Sequence, residues 1–184
     1  MTSYCEYVLT DPLHKPYHDQ EYGFPLRTDS ALLERLSLEI FQAGLSWSII
    51  LKKKDAFHAA FEGFEPERLV AYGDSDVARL LADARIVRNR RKIEAVIENA
   101  RRVLALRPVY GSFAAWLDRH HPLGREEWVR LFKETFVFTG GEIVGEFLVS
   151  TGYLPGAHEP SCPIYARIAA LNPPWMRAGT SLGA

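Results

Sequence analysis

Three groups of residues in this 184-residue chain combine types and spacings that could do chemistry. Glu39 falls three residues after Leu36 and seven after Leu32, so on a helix its carboxylate projects from the face the leucines bury. A buried carboxylate is costly without a partner. Two readings are open: a structural Glu satisfied by backbone donors or a basic side chain, or a pocket carboxylate facing a ligand that brings donors or positive charge. Trp47, eight residues on across a glycine-containing turn, supplies an aromatic plate suited to a flat cation. The second group is Cys5-x12-His18 with His158-x3-Cys162. Two thiolates and two imidazoles make a complete tetrahedral set for zinc, and a site with no open position is structural. The halves are 139 residues apart, a separation that chance also produces, and a Cys5–Cys162 bridge is conceivable in an oxidising compartment. The third group is basic. Arg85 to Arg107 holds eight Arg and Lys against Glu94 and Glu98, a local charge of +6 that the whole-chain value of −1 hides. Such a run is a nucleic-acid footprint or a solvated helix face.

These residues need helices to position them. Leu32, Leu33, Leu36, Ile40 and Ala43 follow three- and four-residue spacing after Thr28-Asp29-Ser30, and the run ends at Gly44. A second helix is expected from about Ser46, with Trp47, Ile50, Leu51 and Phe57 inward, and a third after Ser75-Asp76 with Val77, Leu80 and Leu81. The stretch from Ala82 to Lys92 reads as a compact connection anchored by Ile86 and Val87. The helix that leaves it, with Arg88 and Asn89 near its start, offers free N–H groups and cations to a phosphate. That helix carries Ile93, Val96, Ile97, Ala100, Val103 and Leu104 inward and is expected to stop at Pro108. Ser112 caps Phe113 to Leu117, Glu127 to Phe132 continues the pattern, and Ile143, Val144, Phe147 and Leu148 run to Gly152. A last short helix spans Ile164 to Leu171 before Pro173-Pro174. Alternating runs of strand length are scarce, so the chain reads as all-α.

At 47% hydrophobic and 24% charged, the chain has the composition of one folded domain, and no linker or repeat divides it. No apolar run approaches about 18 residues, and Met1 to Leu9 has neither a basic segment nor an apolar core. A cytoplasmic location follows as the expectation. His14, His58, His120 and His121 are expected to be solvated or at helix ends.

The assembled segments are Asp11-Pro12-Leu13, Tyr17-His18-Asp19-x-Glu21-Tyr22-Gly23, Leu38-Glu39-x-x-Gln42-Ala43-Gly44-Leu45-Ser46-Trp47, Leu51-Lys52-Lys53-Lys54 and Ile86-Val87-Arg88-Asn89-Arg90-x-Lys92-Ile93. Phe136-Val137-Phe138-x-Gly140, Gly152 and His158-x3-Cys162 complete them. In this unbroken order, over roughly residues 4 to 162, the sequence resembles the bacterial DNA-3-methyladenine glycosylase I family of the helix-hairpin-helix superfamily.

The resemblance implies a single domain over 1–184, with terminal segments clipped by one structural zinc on Cys5, His18, His158 and Cys162. A helix-hairpin-helix lobe would lie within about 45–150. It implies excision of 3-methyladenine from double-stranded DNA by base flipping, with the free base as product and the protein a monomer. Glu39 would bind the base as the catalytic carboxylate, with Tyr17, Tyr22 and Trp47 as the aromatic walls. Leu45 would fill the gap in the stack, and Arg88, Asn89, Arg90 and Lys92 would hold the backbone. Tyr7 and Tyr22 stand where the family often has Trp, and Arg85 where Gly is common. Asp118 reads as an ordinary helix residue, so no general base is assigned. The alternative is a zinc-stapled DNA-binding or damage-sensing protein with little excision; a metalloenzyme would need an open zinc position.

Overall fold

The computed structural model describes residues 2–177. Among them are twelve α-helices, two short 3₁₀ helices (Val8–Thr10 and Glu62–Phe64) and no strand: α1 (Tyr4–Tyr7), α2 (Lys15–Gln20), α3 (Asp29–Gln42), α4 (Trp47–Ala60), α5 (Pro66–Leu69), α6 (Asp74–Ala82), α7 (Arg90–Tyr110), α8 (Phe113–His120), α9 (Arg125–Thr135), α10 (Gly141–Ser150), α11 (Pro163–Ala170) and α12 (Pro174–Arg177). No helix among the described residues is long and apolar enough to cross a membrane.

The middle of the fold is α3. Thr28 Oγ1 accepts from the Ala31 amide at 3.2 Å to start it, and Leu32, Leu33, Leu36, Ile40 and Phe41 are fully buried along it. It packs against α4, α7, α8 and α10. Because apolar residues surround it on several sides, even its polar members, Arg35, Ser37 and Glu39, are buried. Gly44, at φ +81°, turns the chain out of α3 toward α4, a conformation only glycine adopts without strain.

Two boundaries differ from the sequence reading. The third helix, α6, starts at Asp74 with Gly73 as its cap, and Asp76 returns a carboxylate to the Gly73 amide at 3.1 Å. Asp76 therefore acts from inside the first turn. Helix α7 runs through Pro108 to Tyr110. A proline near a helix end removes one internal hydrogen bond while its φ suits the helix. The stop falls at Gly111, φ +93°, whose amide donates to the Arg107 carbonyl at 2.9 Å.

The terminal segments meet on one flank. Gly23 donates to the Ser150 carbonyl at 2.9 Å, and a Cβ at Gly23 would sit 2.7 Å from the Ala157 Cβ. Glycine there lets the loop bearing His158 close over residues 21–24. The last helices depart slightly from expectation: α11 ends at Ala170, and Pro174 opens α12. Residues 178–184, the end of the tail whose role the sequence left open, lie outside the described residues.

Candidate functional site: an aromatic cavity beside a basic hairpin

A cavity of about 230 Å³ opens between the N-terminal segment, the α3–α4 turn and α10, lined by Tyr4, Tyr17, Tyr22, Glu39, Gln42, Trp47 and Glu146. Its walls are rings. The Tyr17 and Trp47 centroids are 5.2 Å apart, and Tyr22 stands 5.7 Å from Tyr17. Trp47 Nε1 is buried with no hydrogen-bond partner among the described residues. On the inner side Glu39 is only 5% exposed, and no hydrogen bond to its carboxylate occurs among the described residues. Burial pushes its pKa up to about 8; the charge of Glu146 adds to the rise and the nearby Arg35 opposes it. The fold thus favours the neutral form of the Glu39 carboxyl.

Buried Arg35 organises the wall behind. Its guanidinium lies 5.2 Å from the Tyr17 ring centroid, donates to the Ser150 carbonyl at 3.1 Å and pairs with Glu21 at 3.5 Å. Gln42 Nε2 donates to the Leu45 carbonyl at 2.6 Å, and the Leu45 amide donates to the Gln42 carbonyl at 2.7 Å. Half-buried Leu45 is therefore held in a tight turn at the cavity edge, between exposed Gly44 and Ser46.

The four Cys and His residues come together behind the same wall, with one ligand atom from each within 4.8 Å of the others. Cys162 Sγ is 3.6 Å from His158 Nδ1 and 3.8 Å from His18 Nε2, and Cys5 Sγ is 3.8 Å from His158 Nδ1. A tetrahedral zinc with ordinary bond lengths separates sulfur from nitrogen by about 3.6 Å, so the residues fit such an ion. Both outer ring nitrogens are engaged: His18 Nδ1 is 2.7 Å from Asp19 Oδ1, and His158 Nε2 is 2.7 Å from the Tyr22 carbonyl. Those bonds orient the inner nitrogens toward a metal. The cluster also adjoins each tyrosine wall: Tyr4 precedes Cys5, Tyr17 precedes His18, and Tyr22 accepts from His158.

The basic segment forms a hairpin between α6 and α7. Ile86 is buried and Val87 packs on the core, as the anchors were expected to do. Asn89 Oδ1 caps α7 by accepting from the Lys92 amide at 3.1 Å, and Arg88, Asn89, Arg90 and Arg91 are exposed. Arg85 needs no glycine conformation; it folds back bidentately onto Asp83 at 2.9 and 2.8 Å and holds that carboxyl down at about 2. Farther along α7 the expected patch dissolves, because Arg101 and Arg102 pair with Glu98, and Arg107 pairs with Asp29 and Glu67. Lys92 corrects the sequence reading more sharply. Its side chain is 6% exposed, and Nζ donates to the carbonyls of Phe41 at 3.0 Å and Ala43 at 2.6 Å. An ammonium spent on the end of α3 is not available to a phosphate; Lys92 ties the hairpin to the Leu45 turn.

Sequence reasoning missed Tyr4, Gln42, Arg35 and Glu146. The available signals were weak: Glu146 is an acid within the apolar run of α10, and Arg35 a base among leucines. His14 sits at the start of α2, one of the two kinds of place expected for it, but it is buried there, bonded to the Tyr4 hydroxyl at 3.0 Å and to Ser48 Oγ at 2.7 Å. Tyr7 lies outside the cavity lining and donates to Asp11, and Asp118 is committed to Arg27 and Tyr153.

The family model for methyladenine glycosylase matches residues 7–129. DNA-3-methyladenine glycosylase 1 of Escherichia coli (strain K12) is 45% identical over 102 residues, which cover 55% of this chain and 54% of that protein. DNA-3-methyladenine glycosylase of Haemophilus influenzae is 29% identical over 182 residues, covering 89% of this chain and 98% of that one. Among solved structures, 3-methyladenine DNA glycosylase I from Staphylococcus aureus superposes with a TM-score of 0.80 at 32% identity, covering 89% of this chain and 96% of that chain. A single-residue variant of 3-methyladenine DNA glycosylase I, solved in complex with 3-methyladenine, gives 0.77 at 32% identity, with 87% and 96% covered.

Proposed function

The chain belongs to the methyladenine glycosylase family, and we propose that it hydrolyses the N-glycosidic bond of 3-methyladenine in alkylated double-stranded DNA, releasing the free base. One observation carries the reading: a buried carboxylate, unpartnered among the described residues, at the inner side of a cavity walled by Tyr17, Tyr22 and Trp47. Methylation at N3 makes adenine cationic and loosens its bond to the sugar, so the base leaves neutral and needs little proton donation. Recognition is then most of the task. The nucleotide is rotated out of the stack into the cavity, its face against Tyr17 and Trp47 and its N–H edge toward Glu39. The arriving positive charge draws Glu39 back to its ionised form, and a charged hydrogen bond in a dry site is strong. Ordinary adenine offers no charge to offset that ionisation.

Leu45, on its braced turn, fills the gap in the stack. Exposed Arg88, Asn89 and Arg90, with the free amides at the start of α7, hold the phosphate backbone without reading bases. We assign one structural zinc to Cys5, His18, His158 and Cys162, supported by the ligand spacing and the bonds on both outer ring nitrogens. With four protein ligands such an ion supplies no open position for chemistry; it clips the terminal segments that carry the tyrosine walls. The chain acts as one domain, with the helix-hairpin-helix lobe within about 45–150. On this reading the chain is a monomer working on DNA in the cytoplasm.

Base release from methylated DNA, followed by chromatography of the free base, tests the reading. Glu39→Ala should abolish release while leaving affinity for undamaged DNA intact. Equal loss of both would remove the role given to Glu39, and a wild-type protein that binds lesions without releasing base would be a damage sensor.

A further inference from the structure

Two carboxylates line the cavity, and only one has been used. Glu39 lies deep, while Glu146, on α10, is an exposed residue that lines the same space. The pair therefore runs from the inner wall to the mouth. A base seated in the cavity stays joined to a deoxyribose whose strand remains outside, so the bond to be broken lies at the mouth. We infer that Glu146 is a second catalytic carboxylate, stabilising the cationic sugar as the base departs and accepting the proton of the attacking water. The inference rests on the function proposed above.

The surroundings suit that role. Although the residue is exposed overall, partial desolvation raises the Glu146 carboxyl above its usual range, and Glu142 one turn earlier adds to the rise; Arg125 and a hydrogen bond from Tyr22 oppose it. Glu39 and Glu146 repel, as the rise in the Glu39 pKa records. Two negative groups facing one cavity favour a positive charge that shifts from base to sugar, and a carboxylate with a raised pKa is the better proton acceptor. Among the described residues no other carboxylate lines the cavity. Asp118, the other acid a sequence reading could propose, is held by Arg27 at 2.8 Å and by Tyr153 at 2.6 Å.

The step balances without a co-reactant other than water. The C1′–N9 bond breaks with its electron pair moving to the base, which becomes neutral, and C1′ becomes an oxocarbenium centre. Water oxygen bonds to C1′ and gives its proton to Glu146, which passes it to solvent. The products are an abasic sugar and free 3-methyladenine.

Single-turnover excision and affinity for free 3-methyladenine, read by quenching of tryptophan fluorescence, separate chemistry from base binding. Glu146→Gln should lower the excision rate about 10²-fold, with free-base affinity not reduced and the melting temperature not lowered. Glu146→Asp should recover part of the rate. Glu134→Gln, which removes the same charge from an exposed position on α9 outside the cavity, should excise like the wild type. Wild-type excision by Glu146→Gln would overturn the inference. So would a parallel loss of excision and free-base affinity, which would make Glu146 a binding group. A wild-type protein that releases no base would instead overturn the glycosylase reading itself, before any variant is compared.

Discussion

The hairpin and the cavity are built in opposite ways. The hairpin is one continuous stretch, residues 83–89 between two helices, with Ile86 and Val87 pinned to the core and Arg88 to Arg91 exposed. Its chemistry is that of exposed charge and free amides. The cavity draws Tyr4, Tyr17, Tyr22, Glu39 with Gln42, Trp47 and Glu146 from six places along the chain, and the residues behind it reach His158 and Cys162. Its chemistry depends on dryness and fit. On the proposed function, a local surface grips DNA indifferently, whereas discrimination of a damaged base needs walls that only long-range packing can hold in place.

The largest test of that contrast removes the proposed zinc clip. Chelation, or His158→Ala with Cys162→Ser, should release the segments bearing Tyr4, Tyr17 and Tyr22 and lower the melting temperature by many degrees. Base release should be lost, while salt-dependent binding to undamaged DNA persists at temperatures where the protein stays folded. Joint loss of both activities below the melting transition would show that the two regions are not separable.

A smaller effect comes from Glu39 itself. Its carboxyl is raised from 4.5 in the usual state to about 8 in the fold, so the fold disfavours the ionised form. Stability then falls as pH rises from about 4.5 to about 8 and levels off above that. Glu39→Gln should remove this slope and leave the variant more stable than the wild type at alkaline pH by up to a few kcal/mol, as urea titrations across pH would measure. A stabilised but inactive variant is the signature of a carboxylate kept for a ligand. An unchanged pH profile would mean that Glu39 has a partner in solution.

The smallest effects distinguish two neighbouring cations. Arg88→Ala should weaken binding to all DNA sequences alike and flatten its salt dependence by about one phosphate contact. Lys92→Met should leave that slope alone but cost about 1–3 kcal/mol, because two carbonyls at the end of α3 lose their donor. Base flipping, followed with a fluorescent base beside the lesion, should slow in Lys92→Met as the Leu45 turn loosens. A changed salt slope there would return Lys92 to the DNA surface.

Much of this was legible before any coordinates. The periodicity of Leu32, Leu36 and Ile40 placed Glu39 on a buried face, and its burial follows. Ser112 caps α8 and Gly152 follows α10 at φ +83°, as their types suggested. Lys92 was misread because it sits in a run of bases, and composition does not say which member of a run faces inward; on α7 it falls next to Ile93 on the buried side. Arg107 looked like surface charge because Asp29 and Glu67, the acids that neutralise it, belong to other helices. Glu146 went unnoticed, since nothing in the sequence of α10 reveals that it lines the same cavity as Glu39.

The chain alone determined its helices, most of their caps, the turn at Gly44, the hairpin and the depth of Glu39, because these depend on neighbours within a few residues. Packing decided that Cys5 and His18 meet His158 and Cys162, that Tyr4, Gln42 and Glu146 complete the cavity, and that Lys92 points to α3. Those facts are distances between segments far apart in sequence. Such distances arise only when the apolar faces around α3 are closed against one another and water is expelled between them.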